Sequence, residues 1–433
     1  MAVSLNEIGL QNNVSSSRAY STLAGAWGAW LFDAMDAGIF SFVMLAISHS
    51  FHTSLPSVVG TMAWFLLATG IGGYLLGNIS DFIGRKPTIV LSILIYGVGT
   101  LLCGSAGSLT QLNIYRFVVG LAVGGLWSGA ASLISEVWKP ESRAKALAIL
   151  QTGWSGGNLL AAIFAWSILA SNHSPGAWRE LFMISSIPAL LVFVYCLFFV
   201  KESPVWIGNK EFMRSHSKNR SLIEIFKPEF FRRTLFAFLI SMLAMTGYWM
   251  IMTFVPTFLI KILNINLGQA PIFLVWTGIG GILGYLIYGV LAERIGRRHS
   301  FALFFFFMVI MVPIFTFTVS HMPLTHGKLI LTGQNVTRLG IVSALIGFGT
   351  GYFSGFGAWY SELFPTSIRS TASGFCFNFG RVGAILGILS APFLIKSFGF
   401  AITISVASIA YLLAGILVYA LRETKGTVIT SGN

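Results

Sequence analysis

Polar residues along this chain do not alternate with apolar ones but gather into short clusters that separate long, unbroken apolar runs. Twelve such runs stand out, near 23–47, 57–79, 88–107, 112–134, 145–170, 181–200, 234–260, 271–291, 300–320, 338–359, 372–395 and 400–421. A barrel strand alternates over about ten residues, whereas a membrane-spanning helix needs roughly twenty apolar ones, so runs of this length predict transmembrane helices. An even number of crossings returns both chain ends to one side. The longest polar stretch, 201–233, divides the runs six and six. The expected organisation is a polar tail 1–22, a six-helix bundle 23–200, a linker 201–233, a second six-helix bundle 234–421 and a tail 422–433.

Composition removes the alternatives. Only 9% of the 433 residues are Asp, Glu, Lys or Arg, against about 25% in a soluble domain. With 55% hydrophobic residues, 38 Phe and a mean hydropathy of +0.80, too little polar surface remains to keep a globule of this size in water. Disorder and coiled coil fail on the same numbers. The net charge of +13 raises the question of nucleic acid, and its placement answers it. With the N-terminus inside, twenty of the 27 Lys and Arg fall on the inner face. Arg116, Arg338 and Arg381 lie within spans, and only Arg179, Lys261, Lys328 and Lys396 approach the outer face. That is the positive-inside bias, so the basic charge reports topology, not a nucleic-acid partner; the Lys and Arg clusters are expected in solvated cytoplasmic loops, with binding to membrane lipid headgroups the alternative. A multi-pass inner or plasma membrane protein with both termini cytoplasmic is expected. Cys103, Cys196 and Cys376 fall inside apolar runs and suggest neither a disulfide framework nor a metal site. The first twenty residues lack the pattern of a cleaved signal, and Asn172-His173-Ser174 and Asn335-Val336-Thr337 fit the glycosylation triplet in outward loops.

The two halves repeat each other. Gly77, Asp81, Gly84, Arg85 and Lys86 recur as Gly289, Glu293, Gly296, Arg297 and Arg298, each 212 positions on. Glu136 and Arg143 in SEVWKPESR recur as Glu362 and Arg369 in SELFPTSIR, 226 positions on. Two pseudo-symmetric six-helix halves with a site at their interface form a transporter's architecture. The loop GNISDFIGRK resembles the signature loop of the major facilitator superfamily, and the resemblance covers the whole chain. Glu136 with Arg143, Glu362 with Pro365 and Arg369, Glu202-Ser203-Pro204, and Glu423-Thr424-Lys425-Gly426 resemble the further marks of its sugar-porter-like branch. The resemblance implies an all-α fold of twelve helices, no enzymatic activity, no cofactor, a monomer as the working unit, and cytoplasmic loops that latch the outward-open state.

A charge near a helix centre costs about 2.5–3.5 kcal/mol on insertion scales, so charges kept there call for a reason. Asp33 and Asp36 in WLFDAMDAGIF lie three residues apart and share one helix face. At about 1.5 Å per residue, Asp36 sits ~20 Å and Arg116 ~24 Å from the inner face, so they are placed to pair, while Asp33 and Arg381 both fall at ~15 Å on opposite halves. A structural ion pair is one reading of Asp36 with Arg116; proton carriage is the other. A carboxylate alternately paired with Arg and left in an apolar cavity binds and releases a proton as the helices rock, linking the proton gradient to uptake. The resemblance agrees, since the matching aspartate and span-four arginine couple protons in related sugar symporters. The two-aspartate pattern looks more like the organic-acid branches, including aromatic-acid, nicotinate, lactate and sialate symporters, although Ala34 stands where those usually carry Gly.

Sugar porters carry a pair of glutamines in span seven, and SMLAMTGYWMIMTFVPTFL has none. Thr246, Gly247, Tyr248, Trp249 and Pro256 resemble the organic-acid pattern instead. The planar fork of Arg381 suits a carboxylate better than a neutral hexose. The expected activity is therefore proton-coupled symport of a small organic anion. A sugar or polyol symporter is the alternative, followed by a non-transporting sensor on the same fold. Gln151, Asn158, Trp249, Tyr352, Trp359 and Asn378 are candidates for the remaining substrate contacts. Gly153-Trp154-Ser155-Gly156-Gly157 matches a serine-nucleophile pattern, but no strand precedes it, and all seven histidines read as loop or span-end residues, so span-five glycines are better explained by close helix approach.

Overall fold

The computed structural model describes residues 14–171, 176–208, 222–261, 271–323 and 333–427. Twelve helices in it are long and apolar enough to cross a membrane. In chain order they are α1 (Ser16–Ser50), α2 (Leu55–Ile83), α3 (Arg85–Gly104), α4 (Leu109–Val137), α5 (Arg143–Ser171), α6 (Ala177–Phe199), α7 (Pro228–Lys261), α8 (Pro271–Arg294) and α9 (Arg297–Ser320). They continue with α10 (Gly333–Leu363), which tightens at the turn Thr350–Tyr352. The next helix, α11, starts at Arg369, tightens again at residues 379–380 and runs on to Gly399, whose φ of 80° turns the chain into α12 (residues 400–417). Every span is helical for one reason: in lipid each backbone polar group must find its partner inside the segment.

Helix ends depart from the apolar runs where capping extends them. Ser15 accepts from the Arg18 N–H, so α1 begins ahead of its apolar stretch. α7 begins at Pro228, with Glu229 in its first turn, because a first-position proline and an early acid favour a helix start. The polar 201–233 stretch therefore ends as helix, and it also holds a short helix, Pro204–Gly208, and the 3-10 turn Leu222–Phe226. Asn335 is buried in the first turn of α10, so the second glycosylation triplet is not on an open loop as expected. Asn172-His173-Ser174, His216, His326, Lys210, Arg214, Lys218, Arg220 and Lys328 lie outside the described residues.

The halves meet chiefly where α2 packs on α11 and α5 on α8. Small residues permit this: a Cβ on Gly374 would stand 1.9 Å from the Gly73 carbonyl oxygen, and one on Gly77 2.5 Å from that of Ser370. Gly289 lies likewise against Ala148 of α5, at 2.5 Å. The repeated glycines of the loop motifs thus mark the two seams.

Candidate functional site

Between the halves lies a small cavity lined by Trp30 of α1, Gln151 and Trp154 of α5, Met245, Tyr248 and Trp249 of α7, Phe353 of α10, and Phe377 and Arg381 of α11. Both bundles contribute, and Trp154 Nε1 donates to the Tyr248 hydroxyl across the seam at 3.1 Å. Trp30 stacks at a tilt on Trp154, with ring centroids 5.4 Å apart. Arg381 supplies the cavity's cation. Its Nη1 donates to Asn378 Oδ1, its guanidinium lies 5.5 Å over the Phe377 ring, and Asn378 in turn donates to the Gly124 carbonyl of α4 at 3.3 Å. The arginine is therefore anchored from the opposite half.

One turn beyond Trp30 on α1, Asp33 is buried, and neither of its oxygens has a hydrogen-bond partner among the described residues. It interacts electrostatically with Asp36, Arg381 and Arg116. Asp36, equally buried, is fully engaged: Oδ2 accepts from Arg116 Nη1 at 2.5 Å and Oδ1 from the Thr100 hydroxyl at 2.9 Å. The Arg116 guanidinium lies 4.5 Å over Phe65 and 5.0 Å over Phe40, which shields the pair from solvent.

The other substrate candidates are divided. Gln151 and Trp249 line the cavity, and the Tyr285 hydroxyl of α8 bonds to Gln151 and to Ser155. The serine of the Gly153–Gly157 segment thus serves the α5–α8 seam. Asn158 donates to the Trp154 carbonyl of its own helix at 2.8 Å and is not among the lining residues. Tyr352 is packed inside the second bundle, its hydroxyl 3.3 Å from that of Tyr411. Trp359 packs on Phe301 and donates to the Arg422 carbonyl at 3.2 Å. Those two aromatics pack within the bundle and are not among the residues that line the cavity. Trp30, Trp154, Met245, Tyr248, Phe353 and Phe377 were not singled out as substrate contacts from sequence.

At the basic end of the bundles the repeated motifs assemble two related networks. In the first, Arg85 Nη2 lies 3.0 Å from Glu136 and 3.2 Å from Asp81, and Arg369 of the other half reaches the same Glu136 at 2.6 Å. Asp81 accepts from the Ser370 and Thr371 N–H groups at 3.1 and 2.8 Å, capping α11 from across the seam. In the second, Arg297 lies 2.9 Å from both Glu362 and Glu293, Arg143 reaches Glu362 at 2.8 Å, and Glu293 accepts from the Ala144 N–H at the start of α5 at 2.7 Å. These contacts tie the two halves together at the basic end.

Lys86 and Arg298 stay outside the networks and donate instead to the carbonyls of Leu197 and Tyr419. Gly84 and Gly296, at φ 118° and 97°, start α3 and α9 without a side-chain cap of their own. Glu202 supplies it for α3, accepting from Arg85 and Lys86 N–H at 3.1 and 3.2 Å; Glu423 does so for α9, accepting from Arg297 and Arg298 N–H at 2.9 and 3.0 Å. Burial pushes the Glu202 carboxyl above its usual 4.5. Burial acts the same way on Glu423, but the N–H groups of Arg297, Lys425, Arg298 and Thr424 outweigh it and hold that carboxyl below 4.5.

Comparison with known proteins fits this architecture. The chain is 30% identical over 423 residues, 96% of its own length and 93% of the relative's, to a probable 4-methylmuconolactone transporter of Cupriavidus pinatubonensis. It is 26% identical to the sialic acid transporter NanX of Escherichia coli over 90% of each chain, and 28% identical to the cis,cis-muconate transport protein of Acinetobacter baylyi over 90% and 91%. The solved structure of the proton:xylose symporter XylE bound to 6-bromo-6-deoxy-D-glucose superposes with a TM-score of 0.78 over 96% of this chain and 98% of that one, at 17% identity, a likeness of fold. Residues 26–321 and 237–432 each match the Major Facilitator Superfamily, and with two repeated six-helix halves around a central cavity the chain belongs to that family of multi-pass membrane transporters.

Proposed function

We propose that this transporter carries a small organic carboxylate together with protons by alternating access, with its basic end in the cytoplasm. The observation that carries the reading is Arg381, a guanidinium in the wall of an aromatic cavity, anchored by Asn378 and interacting electrostatically with a buried carboxylate, Asp33, that has no hydrogen-bond partner among the described residues. A planar fork offers a substrate carboxylate two donors, and the surrounding rings supply apolar faces. Asp33, Asp36 and Arg116 carry the proton coupling, the Asp36–Arg116 contact opening as Asp36 takes up a proton. The relatives named for cis,cis-muconate and sialic acid support the anion. The closed basic end corresponds to a state open toward, or occluded from, the outside, with the Glu136 and Glu362 networks as its latch.

Proteoliposomes test this directly. An imposed gradient, acid outside, drives accumulation of a labelled monocarboxylate from a panel of nicotinate, benzoate, lactate and sialate. Accumulation of glucose or inositol in its place would make the carrier a sugar or polyol symporter. Asp36→Asn abolishes gradient-driven accumulation while retaining exchange, and concentrative uptake at the normal level by that variant removes Asp36 from the mechanism.

A further inference from the structure

On the face of α3 turned toward α1, Tyr96, Thr100 and Cys103 form a buried stripe at helical spacing. Thr100 is the one that touches Asp36. Its hydroxyl donates to Oδ1 at 2.9 Å while Arg116 holds Oδ2 through a single nitrogen, the Nε and Nη2 of that arginine being unpartnered among the described residues. We infer that Thr100 is the positioning residue of the proton switch, keeping the Asp36 carboxyl oriented both when it is charged and when it is protonated. The inference rests on the reading of Asp36 as a proton carrier.

The chemistry distinguishes the two partners. A guanidinium only donates, so Arg116 can serve the carboxylate but not the acid's O–H, whereas a hydroxyl donates or accepts. When Asp36 takes one proton from solvent and Arg116 withdraws, the new O–H turns to Thr100 Oγ1. The Thr100 hydroxyl proton then turns to the carbonyl of Tyr96, one turn back in α3, a bond threonine makes readily within helices. One proton is gained and no other covalent bond changes. Without Thr100 the protonated side chain would have no fixed partner, and an unpartnered buried acid is free to rotate away from Arg116. The other titratable groups around Asp36 are Asp33 on its own helix, Arg116 of α4, Tyr96 and Cys103 of α3, Arg381 of α11, which acts on Asp33, and Cys196 of α6, which lies by Tyr96. α2 and α5 carry theirs, Tyr74, Asp81, Arg143 and Lys145, toward the basic end.

Infrared pH-difference spectroscopy of the purified carrier reads this without a substrate, the Asp36 acid appearing as the carbonyl band that Asp36→Asn lacks. A hydrogen bond to a charged acceptor is stronger than one to a neutral group, so Thr100→Val favours the acid. The band's midpoint then moves upward by about half to one pH unit. Its frequency also shifts, and Thr100→Ser restores both. Thr100→Ala carries the same comparison if the valine variant is not recovered. A midpoint and frequency unchanged in either variant, or a midpoint that moves downward, overturns the inference and leaves Thr100 as packing. Absence of any titrating band lost in Asp36→Asn overturns the proton reading itself, and the inference with it.

Discussion

Arg381 reaches the cavity already constrained, since its Nη1 is held by Asn378 and Asn378 is held by the Gly124 carbonyl of the other half. If the substrate is a carboxylate, as proposed, it would meet there a donor whose position is fixed before binding, which reduces the ordering cost that a flexible lysine would bring. Arg381→Ala is expected to weaken substrate binding by about 2 kcal/mol or more, roughly thirty-fold in Kd, with Arg381→Lys recovering part of it. Calorimetric titration of the purified variants measures this, and an unchanged Kd would assign Arg381 to the Gly124–Asn378 seam alone. Asp33, Asp36, Arg116 and Arg381 could be found from sequence because a charge in an apolar run is costly and therefore conspicuous. Thr100 could not, since threonine can satisfy its hydroxyl on its own helix backbone and so occurs in apolar runs at little cost, whatever partner it has in the fold. The cavity aromatics were hidden for another reason. Rings are spread over every span, and only packing separates Trp30 or Phe377 from Tyr352 and Trp359, which are buried inside a bundle.

Among the elements, α3 and α9 show why spans are easier to read than their ends. Each follows a positive-φ glycine and receives its cap from a glutamate more than a hundred positions away, Glu202 for α3 and Glu423 for α9. The glutamates were visible as family marks, but pairing them with helix starts required the fold. The two caps respond oppositely to pH. Glu423 titrates below its usual 4.5, so the folded state favours its charged form. Its contribution is present above 4.5 and is lost as pH falls through the lower folded value. Glu202, raised by burial, carries the opposite sign: the fold favours its protonated form, and acidification through the raised value relieves a cost. Glu423→Gln should therefore lower the Tm of the detergent-solubilised protein at pH 7, by the equivalent of about 1 kcal/mol for a weakened charged cap. The gap from the unmodified chain should close as pH drops below 4.5. A Tm difference that persists unchanged into acid would mean that shape, not charge, fixes the α9 cap.

Across the whole molecule the two networks act as one closure, because each buried glutamate is shared between an arginine of its own half and one of the other. Glu136 holds Arg85 and Arg369; Glu362 holds Arg297 and Arg143. The two repeated motifs, 212 and 226 positions apart, expose this symmetry in the sequence, but not the crossing of Arg369 and Arg143, since residues that bridge halves share no local pattern. With Glu136 in place, Arg85 and Arg369 share its carboxylate; without that charge Arg369 loses its partner and Arg85 keeps Asp81 alone, and removing one member of a buried pair costs about 3–5 kcal/mol. Opening the seam to water is the cheapest relief, so Glu136→Gln should shift the population toward the state open at the basic end. Ser132, buried against the Ser370 hydroxyl at 2.9 Å, reports on that seam. A Ser132→Cys substitution should be slow to react with a membrane-impermeant maleimide added from the basic side while Glu136 is intact, and faster by about ten-fold or more once Glu136→Gln is added. The native Cys103, Cys196 and Cys376 are all buried, which keeps the background low. Equal labelling of the single and double variants would show that the Glu136 network stabilises the first bundle internally and does not set which side of the carrier is open.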